Sequence, residues 1–146
     1  MKNTANKKPQ VFLDTNVLID VAMFRGKEAL AIEYIVDSSM DNSCDLHIAA
    51  HSLTNMYYIL RTALSEEERK QLILNYCATC KIESINRDRI ECAIDNGYAK
   101  NLEDALQIQC AIESNCDYFV TRDRELFKKC PIKTLFPHEL IRELSL

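Results

Sequence analysis

A short apolar segment that ends at a carboxylate constrains the fold of this chain more than any other feature. Residues 11–13 (Val-Phe-Leu) lead directly into Asp14, and Val17, Leu18 and Val21 then recur at helical spacing. This pattern predicts a buried strand followed by a helix that packs on its sheet. Ligands of open α/β sheets bind beyond the carboxyl ends of the strands, so Asp14 is a candidate site residue. The alternative is that Asp14 only caps the helix.

The alternation of strand and helix patterns continues along the chain. Apolar runs predict further strands at residues 46–50, 82–85, 117–121 and 132–136, with helical spacing in the segments between them. Ser52 is expected to cap the helix after the second strand. Such alternation predicts an α/β fold with a parallel sheet covered on both faces. The length of 146 residues favours one domain over residues 10–146, preceded by a flexible tail at residues 1–9.

Composition excludes several classes of protein. Only two glycines occur, which removes the glycine-rich loops that bind dinucleotides and nucleoside triphosphates. The net charge of −4 means that any contact with nucleic acid needs a local basic patch. Neither a membrane span nor a secretory signal is visible, so we expect a cytoplasmic protein. The seven cysteines are then expected to be reduced, with Cys77 and Cys80 packing in the fold rather than binding zinc or doing redox chemistry.

Three acidic residues occupy comparable places in the predicted fold. Asp14 and Asp123 each follow a predicted strand, and Asp104 lies in the first turn of the helix that precedes the second of these strands. The topology of a parallel sheet can bring these side chains to one edge. Carboxylates that converge repel one another unless a cation neutralises them. Mg²⁺ or Mn²⁺ suits such oxygen ligands, and can activate water and bind a phosphodiester.

Three sequence blocks resemble the signature segments of the PIN domain family. They are Asp14-Thr15-Asn16, Glu103-Asp104-Ala105 and residues 118–123 (Tyr-Phe-Val-Thr-Arg-Asp), and the resemblance covers residues 10–142. It implies a three-layer α/β/α sandwich with a central parallel sheet. It also implies a divalent-metal-dependent endoribonuclease that uses Mg²⁺ or Mn²⁺ to hydrolyse RNA. Members of this family often act as the toxin of a toxin–antitoxin pair, so an antitoxin-like protein is an expected partner.

The resemblance also assigns roles to single residues. Asp14, Asp104 and Asp123 would coordinate the metal, and Asn16 and Thr121 would orient the acids or water. Many members carry a further acid in the helix after the second strand, where this chain has Asn55. An amide supplies no charge and cannot act as a general base, so Asn55 would contribute only hydrogen bonds.

Other residues are weaker candidates for the site. Glu103 and Glu125 are accessory acids, although Glu103 also suits a helix N-terminus without any catalytic role. Asp20 is expected to be a solvated helix residue. The predicted nucleic-acid contacts are basic residues that could equally be ordinary solvated charges: Arg61, Arg122, Arg124 and Lys128. The apolar helix face with Met56, Tyr57 and Leu60 is a candidate contact for a homodimer.

Alternative functions remain open at this stage. A catalytically weak PIN-like module that binds RNA or a protein partner would suit Asn55 and the acidic net charge. A phosphohydrolase of the haloacid dehalogenase kind fits poorly, because it needs an Asp two residues after the first, where this chain has Asn16. A phospho-receiver domain also fits poorly, because Lys133 lies at the start of the last predicted strand rather than at its end.

Overall fold

One parallel sheet organises the fold. The structure is a computed structural model that describes residues 7–146. Its strands are β1 (Gln10–Leu13), β2 (Asp45–Ala49), β3 (Lys81–Glu83), β4 (Tyr118–Val120) and β5 (Lys133–Leu135). Its helices are α1 (Thr15–Ala22), α2 (Ala29–Met40), α3 (Ala50–Ile59), α4 (Glu66–Thr79), α5 (Arg87–Asn96), α6 (Leu102–Glu113) and α7 (Pro137–Leu144).

The strand order places the first and fourth strands side by side. All neighbours in the sheet are parallel, in the order β3-β2-β1-β4-β5. Leu13 pairs with Val120, so β1 and β4 end at the same level. The backbone N–H of Asp14 donates to the Val120 carbonyl at 3.0 Å, and that of Thr121 donates to the Leu135 carbonyl at 3.0 Å. The residues that follow these strands therefore meet at one edge.

Side chains of the strands alternate between two apolar cores, as a pleated sheet requires. Val11 and Leu13 face a large core shared with α1, α2, α3 and α7. Phe12 faces the opposite core, where it stacks on Phe119 with ring centroids 5.3 Å apart, under residues of α6. Helix α5 packs on α6 through Ala93. The predicted three-layer α/β/α sandwich with a central parallel sheet is confirmed.

Local sequence signals explain several helix boundaries. Ser65 accepts from the N–H of Glu68 and the Glu68 side chain accepts from the N–H of Ser65, which forms a capping box at the start of α4. Gly97 ends α5 with a φ of +59°, a left-handed conformation that glycine adopts without strain. Pro137 is the first residue of α7, where its missing N–H costs no hydrogen bond.

Two expectations for the third helix are wrong. Helix α3 begins at Ala50, so Ser52 lies inside it and is buried rather than acting as its cap. Met56 and Leu60 are buried in the large core, so they are not available for a dimer contact. Both errors have one cause, because the inner face of α3 packs against α1. This packing buries Ser52 within the helix and covers the apolar face that includes Met56.

Most of the expected N-terminal tail, residues 1–6, lies outside the described residues. Its last part is held to the sheet, since the Lys8 ammonium lies 3.1 Å from an Asp45 carboxylate oxygen. The carbonyl of Pro9 also accepts from the Asp45 N–H at 2.9 Å. Across residues 7–146, no helix is long and apolar enough to cross a bilayer.

Candidate active site

Asp14 lies at the carboxyl end of β1 and is 1% exposed. It occupies the N-cap position of α1, but its side chain makes no capping hydrogen bond. Instead, Oδ2 accepts from the Thr121 hydroxyl at 2.9 Å and Oδ1 accepts from the Gln107 amide at 3.0 Å. Burial raises the pKa of Asp14, and these two hydrogen bonds oppose that rise. The Asp14 carboxylate therefore makes contacts with Gln107 and Thr121 that a helix cap alone does not require.

Gln107 is the residue that the sequence reasoning missed. It lies on α6 one turn after Asp104 and is 2% exposed. Its Oε1 accepts from the backbone N–H of Thr15 at 3.0 Å, while its amide nitrogen faces Asp14 and, at 3.5 Å, an oxygen of Asp104. A flipped amide would point its oxygen at two carboxylates, so only this orientation satisfies every partner. The available signal was a polar side chain at a core-facing helix position.

Asp104 is half-buried in the first turn of α6, beside the Asp14–Gln107 pair. The Asn101 side chain caps the helix by accepting from the backbone N–H groups of Glu103 and Asp104, at 2.8 and 3.2 Å. Burial, followed by the negative charge of Asp14, raises the pKa of Asp104 to about 6. Asp104 and Asp14 therefore repel each other across a short distance.

Asp123 begins an exposed turn just after β4. Its backbone N–H donates to the Thr121 hydroxyl oxygen at 3.1 Å, so Thr121 contacts both Asp14 and Asp123. The carboxylate of Asp123 accepts from the Leu126 N–H at 3.3 Å. Its charge also contributes to raising the pKa of Asp104, which places all three predicted acids in one electrostatic cluster.

The remaining polar candidates lie around this cluster. The backbone N–H of Asn16 helps to lower the pKa of Asp14. The Thr15 hydroxyl lies 2.5 Å from the Ser52 hydroxyl and so links α1 to α3. Asn55 follows Ser52 by one helical turn and is half-buried, and its side chain makes no hydrogen bond to any residue in 7–146.

The two accessory acids are both exposed. The backbone carbonyl of Glu103 accepts from the His51 ring at 3.1 Å, which joins the first turn of α6 to α3. The Glu125 carboxylate pairs with the Lys128 ammonium at 2.9 Å. Neither carboxylate hydrogen-bonds Asp14 or Asp104, so their predicted accessory role stays a prediction.

Asp20 is buried and ion-paired, so its expected solvated position is wrong. It is 4% exposed and binds Arg25 at 2.9 Å and Arg122 at 3.3 Å. The pairing brings Arg122 close enough to Asp14 to lower the pKa of that carboxyl. Sequence could not show this pairing, because Arg122 follows β4 and meets α1 only in the folded sheet.

The other predicted nucleic-acid contacts also have intramolecular partners. Arg124 pairs with Glu139 at 3.2 Å and lies 4.1 Å over the Phe136 ring. Arg61 lies 3.8 Å over the Tyr58 ring on the surface of α3 and the following turn. Each side chain is exposed, so these contacts leave part of its charge facing solvent.

The donor set at this edge suits a hard divalent cation. Asp14 uses one hydrogen bond at each carboxylate oxygen, which leaves further lone pairs for a ligand bond. Repulsion between Asp14 and Asp104 is the penalty that a cation would remove. Within the described part of the chain, no three His, Cys, Asp or Glu side chains already converge tightly enough to hold an ion. Asp104 and Asp123 would therefore have to turn toward Asp14.

Solved structures share this fold. VapC20 from Mycobacterium tuberculosis, a toxin that cleaves the sarcin-ricin loop, has a TM-score of 0.67 at 11% identity, over 84% of this chain and 95% of its own. A toxin–antitoxin complex from Klebsiella pneumoniae has a TM-score of 0.64 at 19% identity, over 87% and 97%. VapBC2 from Rickettsia felis, bound to a promoter DNA fragment, has a TM-score of 0.61 at 15% identity, over 87% and 98%.

The sequence itself carries the family assignment. No curated protein matches the chain significantly. The profile of the PIN domain matches residues 10–125, a segment that contains all three acids, Gln107 and Thr121. Taken with the shared α/β/α fold, this match shows that the chain belongs to the PIN domain family.

Proposed function

We propose that this protein is a divalent-metal-dependent endoribonuclease that hydrolyses RNA phosphodiesters with Mg²⁺ or Mn²⁺. One observation carries the proposal: two buried polar side chains link the three acids. Gln107 contacts Asp14 and Asp104, and Thr121 contacts Asp14 and Asp123. A purely structural role does not explain carboxylates that are held together despite their repulsion.

Different residues of the chain would have different roles at such a site. A bound Mg²⁺ or Mn²⁺ would supply Lewis-acid activation of water and neutralise phosphodiester charge. Asp14 would be the fixed ligand, because Gln107 and Thr121 hold both of its oxygens. Asp104 and Asp123 would complete the ligand set from more exposed positions. Asn16 and Asn55 would hydrogen-bond water or substrate, since an amide both donates and accepts.

A cleavage assay tests the proposal directly. We expect the purified chain to cleave single-stranded RNA with Mn²⁺ or Mg²⁺ and to lose this activity with EDTA. Asp14→Asn and Asp104→Asn should each reduce the rate at least about a hundredfold, because ligand loss weakens the ion and misplaces water. Asp95→Asn, an exposed acid on α5, is the matched control. Cleavage that persists in Asp14→Asn would contradict the proposal.

A catalytically weak binding module is the second candidate, and Asn55 favours it. An acid missing from the site lowers the negative charge available to a cation. RNA binding with no cleavage by the wild-type chain would support this alternative. If the missing negative charge at position 55 limits the reaction, Asn55→Asp should raise the rate of RNA cleavage.

We further propose an antitoxin-like protein partner, because the Klebsiella and Rickettsia relatives are toxin–antitoxin assemblies. A groove of about 400 Å³ lined by Val21, Phe24, Leu64 and Leu72 is a suitable surface for it. Phe24 is 82% exposed and has a φ of +49°, a strained conformation for a bulky side chain.

The partner proposal predicts a toxic phenotype and a specific rescue. Expression of the wild-type chain should arrest bacterial growth, and co-expression of its antitoxin should restore it. Phe24→Asp should abolish the rescue while keeping RNA cleavage. Leu30→Asp, an exposed apolar position outside the groove, is the control. Wild-type expression without growth arrest would contradict the toxin assignment.

The predicted homodimer has a separate test, which is the molar mass of the purified chain measured by light scattering.

A further inference from the structure

A cleft of about 310 Å³ opens directly beside Asp104. One wall is the loop between α5 and α6, with Tyr98 and Lys100. The other wall is the turn that follows β4, with Leu126 and Lys129. Asp104 itself lines one end, so whatever occupies the cleft also reaches the acid cluster.

The rim of this cleft carries positive charge that the protein does not neutralise. Lys100 and Lys129 have no carboxylate oxygen within 4.0 Å among residues 7–146. By contrast, Lys70, Lys81 and Lys133 each form an ion pair elsewhere on the surface. The same lining holds Glu125, which pairs with Lys128, and Asp104. Lys100 and Lys129 are therefore its two lysines without a carboxylate partner among the described residues, and they form a local site for an anion.

The two walls of the cleft also carry apolar and aromatic side chains. Tyr98 is half-buried against the core under α6, which restrains its ring. Leu126 lies across the cleft and is 51% exposed, and Ala99 completes the apolar lining. An aromatic side chain beside cationic groups is the arrangement by which proteins bind unpaired bases, with the ring stacked and the phosphate at the cations.

We propose that this cleft binds the nucleotide next to the phosphodiester that is cleaved, within a single-stranded RNA. The base lies against Tyr98, and the neighbouring phosphate contacts Lys100 and Lys129. The cleft is near the lower limit of ligand-site volumes, which suits a single nucleotide. This assignment rests on the proposed nuclease function, because the same strand must extend to Asp104.

Fluorescence anisotropy with a short labelled RNA tests the assignment. The full chain carries Asp14→Asn so that the RNA stays intact. We expect Lys100→Ala/Lys129→Ala to weaken single-strand binding about tenfold or more and to reduce the slope of log K against log salt by roughly 0.7, the value for one phosphate contact on a single strand. Lys70→Ala removes an exposed lysine from α4, away from the cleft, and should bind as the parent does. All these lysines are exposed, so the variants should fold.

The tyrosine supplies an independent measurement. Tyr98→Leu keeps an apolar side chain but removes the ring, and should weaken single-strand binding roughly fivefold or more. Tyr98→Phe keeps the ring and should bind single-stranded RNA with the affinity of the parent chain. A hairpin duplex of the same composition should bind more weakly and should not respond to Tyr98→Leu.

The outcomes separate this inference from the proposed function. Unchanged single-strand affinity in the double lysine variant, or equal dependence of duplex binding on Tyr98, would overturn the cleft assignment. If the wild-type chain binds no Mn²⁺ and cleaves no RNA while the lysine and tyrosine effects persist, the nuclease proposal fails and the nucleotide site stands. If the wild-type chain binds no RNA, the assignment fails.

Discussion

At the scale of single residues, the site depends on how the Asp14 carboxylate is held. The backbone N–H of Thr15 can only donate a hydrogen bond, so its partner must be the side-chain oxygen of Gln107. The Gln107 nitrogen therefore faces Asp14. Thr121 holds the second oxygen of Asp14. The carboxylate therefore presents its free lone pairs in one fixed direction, which is the usual role of groups that orient a ligand.

Replacing Gln107 should damage ion binding more than folding. Gln107→Leu keeps the volume but removes the donor to Asp14, so we expect Mn²⁺ affinity measured by calorimetry to fall about tenfold or more. Gln109→Leu is a matched control, since Gln109 is also buried on α6 but bonds Asn96 and Glu113. Equal Mn²⁺ affinities in the two folded variants would show that Gln107 is merely structural.

The raised pKa of Asp104 gives a second prediction, for protein without metal. The folded chain binds the Asp104 proton more tightly than the unfolded chain does, because the pKa is about 6 in the fold and 3.8 without it. This proton therefore stabilises the fold fully below pH 3.8, and the stabilisation is lost as the pH rises through about 6. Asp104→Asn mimics the protonated form. It should therefore increase the free energy of unfolding at neutral pH by about 1 kcal/mol, after allowance for partial exposure.

Denaturant unfolding across the acid range checks this sign. The difference between wild type and Asp104→Asn should shrink as the pH falls from about 6 toward 3.8 and vanish below that range. A variant that is less stable than wild type at neutral pH would mean that Asp104 makes a favourable contact that outweighs its repulsion from Asp14.

Sequence predicted the three acids and, through the family resemblance, Thr121, which contacts Asp14, but it did not predict Gln107. Asp14, Asp104 and Asp123 stand out because each follows a strand or begins a helix. Gln107 shares a helix face with apolar residues, so spacing alone marks it as part of the core. Asp20 is held by Arg122, and such a pair, distant in sequence, is fixed by sheet topology rather than by local pattern.

At the scale of helices and strands, the first turn of α6 couples helix capping to the site. Asn101→Ala removes the acceptor for the backbone N–H groups of Glu103 and Asp104 and should cost about 1 kcal/mol of stability. Because this turn carries Asp104, we also expect weaker Mn²⁺ binding and slower RNA cleavage. Ser65→Ala breaks the capping box of α4 and should lower the stability by a similar amount. It should leave Mn²⁺ binding and RNA cleavage unchanged. Chemical denaturation and calorimetry compare the two variants, and equal Mn²⁺ affinities would contradict the coupling.

Sequence located the elements well where capping and apolar spacing agree. The strands fall within one or two residues of their predicted positions. Several helices begin or end at residue types that favour caps: Ser65, Gly97 and Asn101. Helix α3 differs because its N-cap is Ala49, which has no capping side chain. Packing against the sheet and α1 sets its start, and no local pattern records that contact.

At the scale of the whole molecule, an ion bound at the proposed site would also stabilise the fold. An ion that binds only the folded chain raises the free energy of unfolding by about 2.7 kcal/mol at one hundred times its dissociation constant. For a domain of this size, we expect Mn²⁺ to raise the melting temperature by about 10 °C, and EDTA to reverse the shift.

Thermal unfolding of two variants identifies the source of that stabilisation. Asp14→Asn should lose the Mn²⁺-dependent shift, whereas Asp95→Asn should retain it. A shift that is the same in Asp14→Asn would place the bound ion elsewhere on the protein and contradict the proposed ligand set.

The contact between Asp14 and Thr121 spans 107 positions along the chain. During synthesis, the ribosome must therefore add 107 residues after Asp14 before Thr121 can reach it. Pairing of β1 with β4 is a late, long-range event of the kind that folds slowly. A nascent or truncated chain that stops before Thr121 therefore cannot assemble the three acids.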